Sequence, residues 1–401
     1  MNQGRTFPGW LVLLGMLIAI APLSIDLYLP AFPAIEAELA NGTGQAEYTL
    51  ASFFIGISLG QLFYGPLSDR FGRKPPLYAG LVIYSLASLG CALAGSLEAL
   101  AAWRFLQALG GCAGMVIARA VVRDRCSAQE SARAFSMLIL IMGVAPILAP
   151  LLGGWVSAAL GWRALFALLA GFGALCLGLV YRRLAETRDS THAPPMTLAG
   201  VAGDYLGLLR QRGYMGYGLA AALASAGMFA YIAGSPQVLI GLYGIAPEHF
   251  GWVFGINAVG FIAASQINAR LLRHTPLTTL LRRSLRLTAL SALILALFAL
   301  YGQPPMIPLL ICLFVFMASL GLVNPNANAA AMASHGQIAG TASALIGALQ
   351  FGAAALAGAA LGLSGKGSIV PLATVMAVCG LGAWVVHKLM IVLAKPEHWT
   401  T

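Results

Sequence analysis

Long apolar runs separated by short polar connections occupy most of the chain. An α-helix rises 1.5 Å per residue, so about twenty apolar residues cross a hydrocarbon core roughly 30 Å thick. Twelve such runs predict spanning helices over about 8–29, 47–67, 76–95, 98–119, 135–157, 163–183, 213–235, 248–270, 284–302, 306–328, 338–363 and 369–392. Within each run the apolar character is continuous. The strands of a membrane barrel would instead alternate between lipid and lumen over about ten positions. The first run, from Phe7 to Leu29, exceeds the h-region of a signal peptide and contains Asp26, so it reads as a span.

The longest connection that is not apolar runs from Leu184 to Arg212 and holds Glu186, Asp189, Pro194, Pro195 and Asp204. It divides the spans into six and six: an N-terminal half over 1–184, a linker over 185–212 and a C-terminal half over 213–401. Two six-helix halves suggest a parallel repeat with a solute site near the midplane between them.

Composition agrees with this pattern. Of the 401 residues, 59% are hydrophobic and 9% charged, against about 25% charged in a soluble domain. A formal net charge of +10 would point to nucleic acid in a soluble protein. Here the cations sit in alternate loops, which argues for membrane topology instead. If the N-terminus is cytoplasmic, the outer loops hold only Arg163 and Lys366, and both termini are expected inside. The six cysteines lie singly, without a CxxC or Cys/His cluster, and read as packing residues. No metal or cofactor is expected.

Of thirteen acidic residues, twelve fall in loops or at span edges; Asp26 is the exception. A carboxylate inside a span costs about 2.5–3.5 kcal/mol on insertion scales, so it is kept where it pairs, faces a cavity or carries a proton. Arg104 enters span four to about the same depth as Asp26, roughly 8 Å from the outer side at helical rise. Two opposite charges at one depth predict a pair that separates when a proton or solute arrives. In such a pair only the carboxylate titrates, because an arginine stays protonated. Two plainer readings stand beside this one: Asp26 touching headgroups at its helix end, and Arg104 holding backbone carbonyls.

The loop after span two reads Gly65-Pro66-Leu67-Ser68-Asp69-Arg70-Phe71-Gly72-Arg73-Lys74-Pro75. Inside-loop charge explains its cations but not the ordered arrangement of turn residues, acid and bases. This string resembles the signature loop of the major facilitator superfamily. Arg104-Phe105-Leu106-Gln107-Ala108-Leu109-Gly110-Gly111 is similar to that superfamily's span-four motif, whose arginine is linked to proton coupling. The run from Gly143 through Pro146 and Pro150 to Gly153 and Gly154 is similar to the antiporter motif of drug exporters, with Ala145-Pro146 where Gly-Pro is usual. Ser24-Ile25-Asp26-Leu27-Tyr28-Leu29-Pro30, Ala118-Arg119-Ala120-Val121-Val122-Arg123-Asp124 and Ala339-Gly340-Thr341-Ala342-Ser343 together resemble its bicyclomycin and chloramphenicol resistance (Bcr/CflA) branch.

The resemblance implies an all-α polytopic membrane protein of the major facilitator fold, in the inner membrane of a bacterium. It implies proton-coupled export of drugs or related small molecules by alternating access. It further assigns proton coupling to Asp26 and Arg104, and a cytoplasmic gate to Gly65, Asp69, Arg70, Gly72, Arg73 and Lys74. In that gate Asp69 would engage the start of span eleven, near Gln337 to Thr341. A proton-coupled importer or a metabolite exporter on the same fold is the alternative, because local sequence does not encode the direction of coupling.

Polar residues inside spans are candidates for the cavity lining: Tyr28, Tyr231, Gln237, Asn257, Asn328 and Gln350, with Gln266, Asn268, Asn324 and Asn326 as further amides. Such a lining, mostly neutral and aromatic, suits lipophilic or moderately polar solutes. The amides around Pro325 could also satisfy the carbonyl that a proline within a span leaves free. Other classes fit less well. No GxxxxGK followed by Ser or Thr supports ATP coupling, and Gly365-Lys366-Gly367 breaks the pattern. One acid and one arginine within the spans do not make an enzyme site. The expected partners are a small-molecule substrate, protons and membrane lipid, with the chain acting as a monomer and no nucleic acid bound.

Overall fold

The computed structural model describes residues 9–39, 46–126, 128–187, 198–335, 338–364 and 367–393. Excepted are the side chains of 128, 129, 131–133, 135–137, 139–143, 198 and 199. Arg5, Arg188, Asp189, Pro194, Pro195, Gln337, Gly365, Lys366, Lys395 and Glu397 therefore lie outside the described residues. Every regular element among the described residues is helical.

The first half holds α1 (Gly9–Asp26), α2 (Phe32–Leu39), α3 (Glu47–Phe71), α4 (Lys74–Ala92), α5 (Leu97–Arg125), α6 (Ala128–Leu160) and α7 (Trp162–Arg183). The linker contains α8 (Leu198–Arg210). The second half holds α9 (Arg212–Ser235), α10 (Pro247–Leu271), α11 (Leu277–Leu300), α12 (Met306–Met332), α13 (Ala339–Gly362) and α14 (Val370–His387). Eleven helical stretches among the described residues are long and apolar enough to span, and Val144–Leu160 within α6 is a shorter apolar helix. With α6 these make the twelve spans; α2 continues the first stretch and α8 is additional. Helical spans satisfy every backbone group internally, as lipid requires. Leu86, Trp155, Leu160, Trp252 and Leu356 are exposed on the bundle's outer surface, where acyl chains rather than water would meet them.

Three elements go beyond the apolar runs. After α1 a 3-10 turn at Leu29–Ala31 carries the chain into α2, because Pro30 supplies no N–H to continue an α-helix. A π-helix at Pro236–Leu242 follows α9 and takes in Gln237. In α8, Leu198, Val201, Tyr205 and Leu208 follow helical spacing; Leu208 is buried and Tyr205 donates to the Leu62 carbonyl of α3 at 3.2 Å.

The two halves repeat one packing plan. In the first, α5 lies against α1, α3 and α4, and α4 against α7; in the second, α12 lies against α9, α10 and α11, and α11 against α14. The halves meet along two seams, α3 with α13 and α6 with α10. On the first seam Ser58 donates to the Ala348 carbonyl at 2.8 Å. The end of the bundle that carries the Gly72–Lys74 loop is called the basic end below, and the other the far end.

Candidate functional site

The basic-end loop is an ionic knot centred on Arg73, which is buried. Its Nη1 donates to Asp69 Oδ1 at 2.7 Å and to Ser68 Oγ at 2.9 Å; Nε and Nη2 donate to the two oxygens of Asp124 at 2.7 and 3.1 Å. Burial works against the cation, but the hydrogen bonds and charges of Asp124 and Asp69 outweigh it and hold the guanidinium above its ordinary value. The linker enters this knot. Glu186 accepts the backbone N–H groups of Arg73 and Lys74 at 2.8 and 2.9 Å, placing a carboxylate at the positive start of α4. Thr187 closes the ring by donating to Asp124 at 2.9 Å. Gly72 turns the chain with φ +86°, and a Cβ there would stand 2.9 Å from Glu186 Oε2, so the tight turn suits glycine on both counts. Arg70 lies over the Phe71 ring and Lys74 over Tyr78, while a Cβ on Gly65 would meet nothing. The expected contact of Asp69 with Gln337 involves a residue outside the described ones; at the start of α13, Gly340 lies beside the Arg123 guanidinium.

Asp26 is the last residue of α1 and is buried, 3% exposed, at the junction of the halves. Its carboxylate is close enough to Tyr231 of α9 to act on that hydroxyl electrostatically. Tyr231 accepts from Asn257 Nδ2 of α10 at 2.8 Å and stacks on Phe254 with centroids 5.5 Å apart. Helices α9 and α10 thus pair through Tyr231 and Asn257 near the end of α1 that carries this acid.

Arg104 does not pair with Asp26 in this conformation; the ion pairs among the described residues are Arg73 with Asp69 and with Asp124, and Arg163 with Glu38. Arg104 is fully buried in a cage of rings, its guanidinium carbon 4.1 Å from the Phe53 centroid, 4.2 Å from Tyr28 and 5.7 Å from Phe166. Nη1 donates to Gln107 Oε1 at 2.6 Å, and Gln107 in turn donates to Ser88 at 2.8 Å. Nε and Nη2 are buried without hydrogen-bond partners, so the ring faces carry much of the cation's stabilisation. Tyr28 belongs to this cage: its ring faces Arg104 and its hydroxyl lies 3.2 Å from Thr49.

The proline and glycine run of α6 lies at the far end, against both halves. A Cβ on Gly153 would stand 1.8 Å from the carbonyl oxygen of Leu27, the residue after Asp26; a Cβ on Gly154 would stand 2.8 Å from the Pro247 carbonyl of α10. Only glycine lets α6 approach that closely. Pro150 is buried and Pro146 half-buried, while Gly143 lies in α6 among side chains that are not described.

At the basic end a cavity of about 190 Å³ opens between the halves. It is lined by Gln61 of α3, Met115 and Arg119 of α5, Asn328 and Met332 of α12, and Ser343, Gln350 and Phe351 of α13. Of the six residues named for the cavity lining, Asn328 and Gln350 line this cavity. Tyr28, Tyr231 and Asn257 are buried in side-chain packing, and Gln237 sits on the π-helix beyond α9. Asn326 and Asn268 bond each other at 2.7 Å, and Asn326 also donates to the Leu322 carbonyl at 2.9 Å, below Pro325. Neither Glu186 nor Arg119 stood out in sequence, where one read as a linker acid and the other as part of a longer string. A cation in a span is as unusual as an acid there, and that was the available signal for Arg119.

A model of the Major Facilitator Superfamily matches residues 14–359. An uncharacterized MFS-type transporter, YdgK of Bacillus subtilis, is 35% identical over 91% of this chain and 90% of its own length. A bicyclomycin resistance protein homolog of Haemophilus influenzae is 32% identical over 94% and 95%, and multidrug resistance protein D of Escherichia coli 30% identical over 93% and 94%. Among solved structures, a D-xylose-proton symporter superposes with a TM-score of 0.72 at 16% identity, over 94% of this chain and 97% of that one, which speaks for the fold alone. With its repeated six-helix halves, its Gly65–Pro75 loop and relatives that share nearly its whole length, the chain belongs to the major facilitator superfamily, in the Bcr/CflA branch.

Proposed function

We propose that this transporter, a multi-pass protein of the inner membrane, exports small molecules in exchange for protons by alternating access. The reading is carried by one observation: Asp26 lies buried where the halves meet, beneath a far end packed shut by α6 on α10, while a cavity opens at the basic end. The one-sided placement of Lys and Arg supports a cytoplasmic basic end with both termini inside. In that orientation the cavity loads from the cytoplasm.

Asp26 is the proton site in this account. Protonation would remove its charge from the Tyr231–Asn257 cluster and let α1 move against α9 and α10; release would restore the charge and bias the halves back. Arg104 keeps a fixed positive field at the same depth, and the Arg73 knot with Glu186 ties the start of the linker to the basic end of the first half, leaving closure of that side to Asp69 and the start of α13. The relatives named for bicyclomycin and multidrug resistance support drugs or similar compounds as cargo.

Proteoliposomes with an acidic lumen test the exchange. Chloramphenicol or bicyclomycin should accumulate inside as protons leave. Expulsion of the compound together with the protons would establish co-transport and overturn the proposal.

A further inference from the structure

Among the described residues, the basic-end cavity presents a cation and donors but no carboxylate. Arg119 reaches it from α5, half-buried, and among the described residues its guanidinium makes no hydrogen bond, ion pair or ring contact. Gln61, 3% exposed, lines the same cavity, and its Nε2 is buried without a hydrogen-bond partner. Gln350 donates to Asn328 Oδ1 at 3.3 Å, which occupies the Asn328 oxygen and leaves the Asn328 NH₂ as its free end. The nearby acids are engaged elsewhere: Asp124 holds Arg73 and Thr187, and Glu186 holds the backbone of Arg73 and Lys74.

A guanidinium withdrawn from water is costly unless an anion with matching geometry meets it, and a planar oxyanion offers two acceptors to its fork. The cavity is smaller than the roughly 300–1,000 Å³ of a site that encloses a drug-sized ligand, so it accepts one functional group of a larger molecule. We infer that this cavity binds an oxyanion group of the carried solute, a carboxylate or sulfonate, with Arg119 as its ionic partner and Gln61 and Asn328 as flanking donors. The inference rests on reading the chain as a carrier loaded at its basic end, and it adds solutes bearing such a group to the cargo the site accepts.

Binding to the full chain purified in neutral detergent tests it, with naphthoate, naphthalenesulfonate and naphthamide as probes that share one ring system. The two anions should raise the unfolding temperature with affinities at least about 10-fold above that of the amide. Arg119→Gln should bring the anions down to the amide's affinity, while Arg119→Lys keeps part of the preference. Gel filtration and the unliganded unfolding temperature report whether each variant is folded; should Arg119→Gln not purify, the comparison of anion with amide on the unsubstituted protein and on Arg119→Lys decides. Equal binding of amide and anions, no binding by any of the three, or a preference that survives Arg119→Gln would overturn the proposal. So would stabilisation by phosphatidylglycerol in the micelle without any by naphthoate, which would assign the cation to lipid. Because equilibrium binding needs no gradient, proton exchange without an oxyanion preference sinks only this inference, and an oxyanion preference without proton exchange sinks only the carrier's coupling.

Discussion

On α5, Arg104 and Arg119 lie about 22 Å apart along the helix axis at 1.5 Å per residue, and their surroundings differ in kind. Arg104 is enclosed by Tyr28, Phe53 and Phe166 and held by Gln107 within the first half. Arg119 faces the seam between the halves beside Gln61, Asn328 and Ser343. Ring faces stabilise the first cation permanently, so it acts as a fixed charge. The second has donors for neighbours and awaits an acceptor from outside the chain. What a charged residue within a span does is decided by what the fold packs around it.

The contrast can be broken at several points. Arg104→Ala should have the largest effect, destabilising the protein by about 3 kcal/mol, because it empties a fully packed site and removes the cation that three rings surround. Thermal unfolding in a single detergent measures this; a loss below about 1 kcal/mol would show that the cage is not structural. Arg119→Gln, read by the same unfolding experiment, should stay within about 0.5 kcal/mol, since the guanidinium makes no hydrogen bond, ion pair or ring contact among the described residues and glutamine keeps part of the stem's packing. Gly347→Ala sharpens the comparison from the cavity side. Its Cβ would stand 1.8 Å from Gln61 Oε1, the flexible end of a side chain, so the amide would swing aside at little cost. Naphthoate affinity should fall about 3-fold while the unfolding temperature hardly moves.

The fold was legible because its signal is redundant: twelve lengths and one charge asymmetry each specify it. Helix α8 carries a helical period in Leu198, Val201, Tyr205 and Leu208, a weaker signal than apolar length, within a connection otherwise marked by prolines and acids. The site was legible only in part. Depth along a helix can be counted from residue numbers, so Asp26 and Arg104 were placed at one level, but rotation about the axis cannot be counted across a helix end. Asp26 closes α1 without pairing with Arg104, while Tyr28, two residues on, takes the arginine. Glu186 reaches the loop at Arg73 across more than a hundred residues of chain, a contact that no local pattern encodes. For Tyr231 and Asn257, polarity within a span accompanies a hydrogen bond between α9 and α10.

The central claim is that Asp26 couples proton movement to solute movement. Proteoliposomes containing Asp26→Asn, compared with the unsubstituted chain, test it most directly by measuring energy-independent solute exchange and pH-gradient-driven accumulation in one preparation. The account predicts that Asp26→Asn retains exchange and loses accumulation. Accumulation at the unsubstituted level would contradict it and place the proton elsewhere.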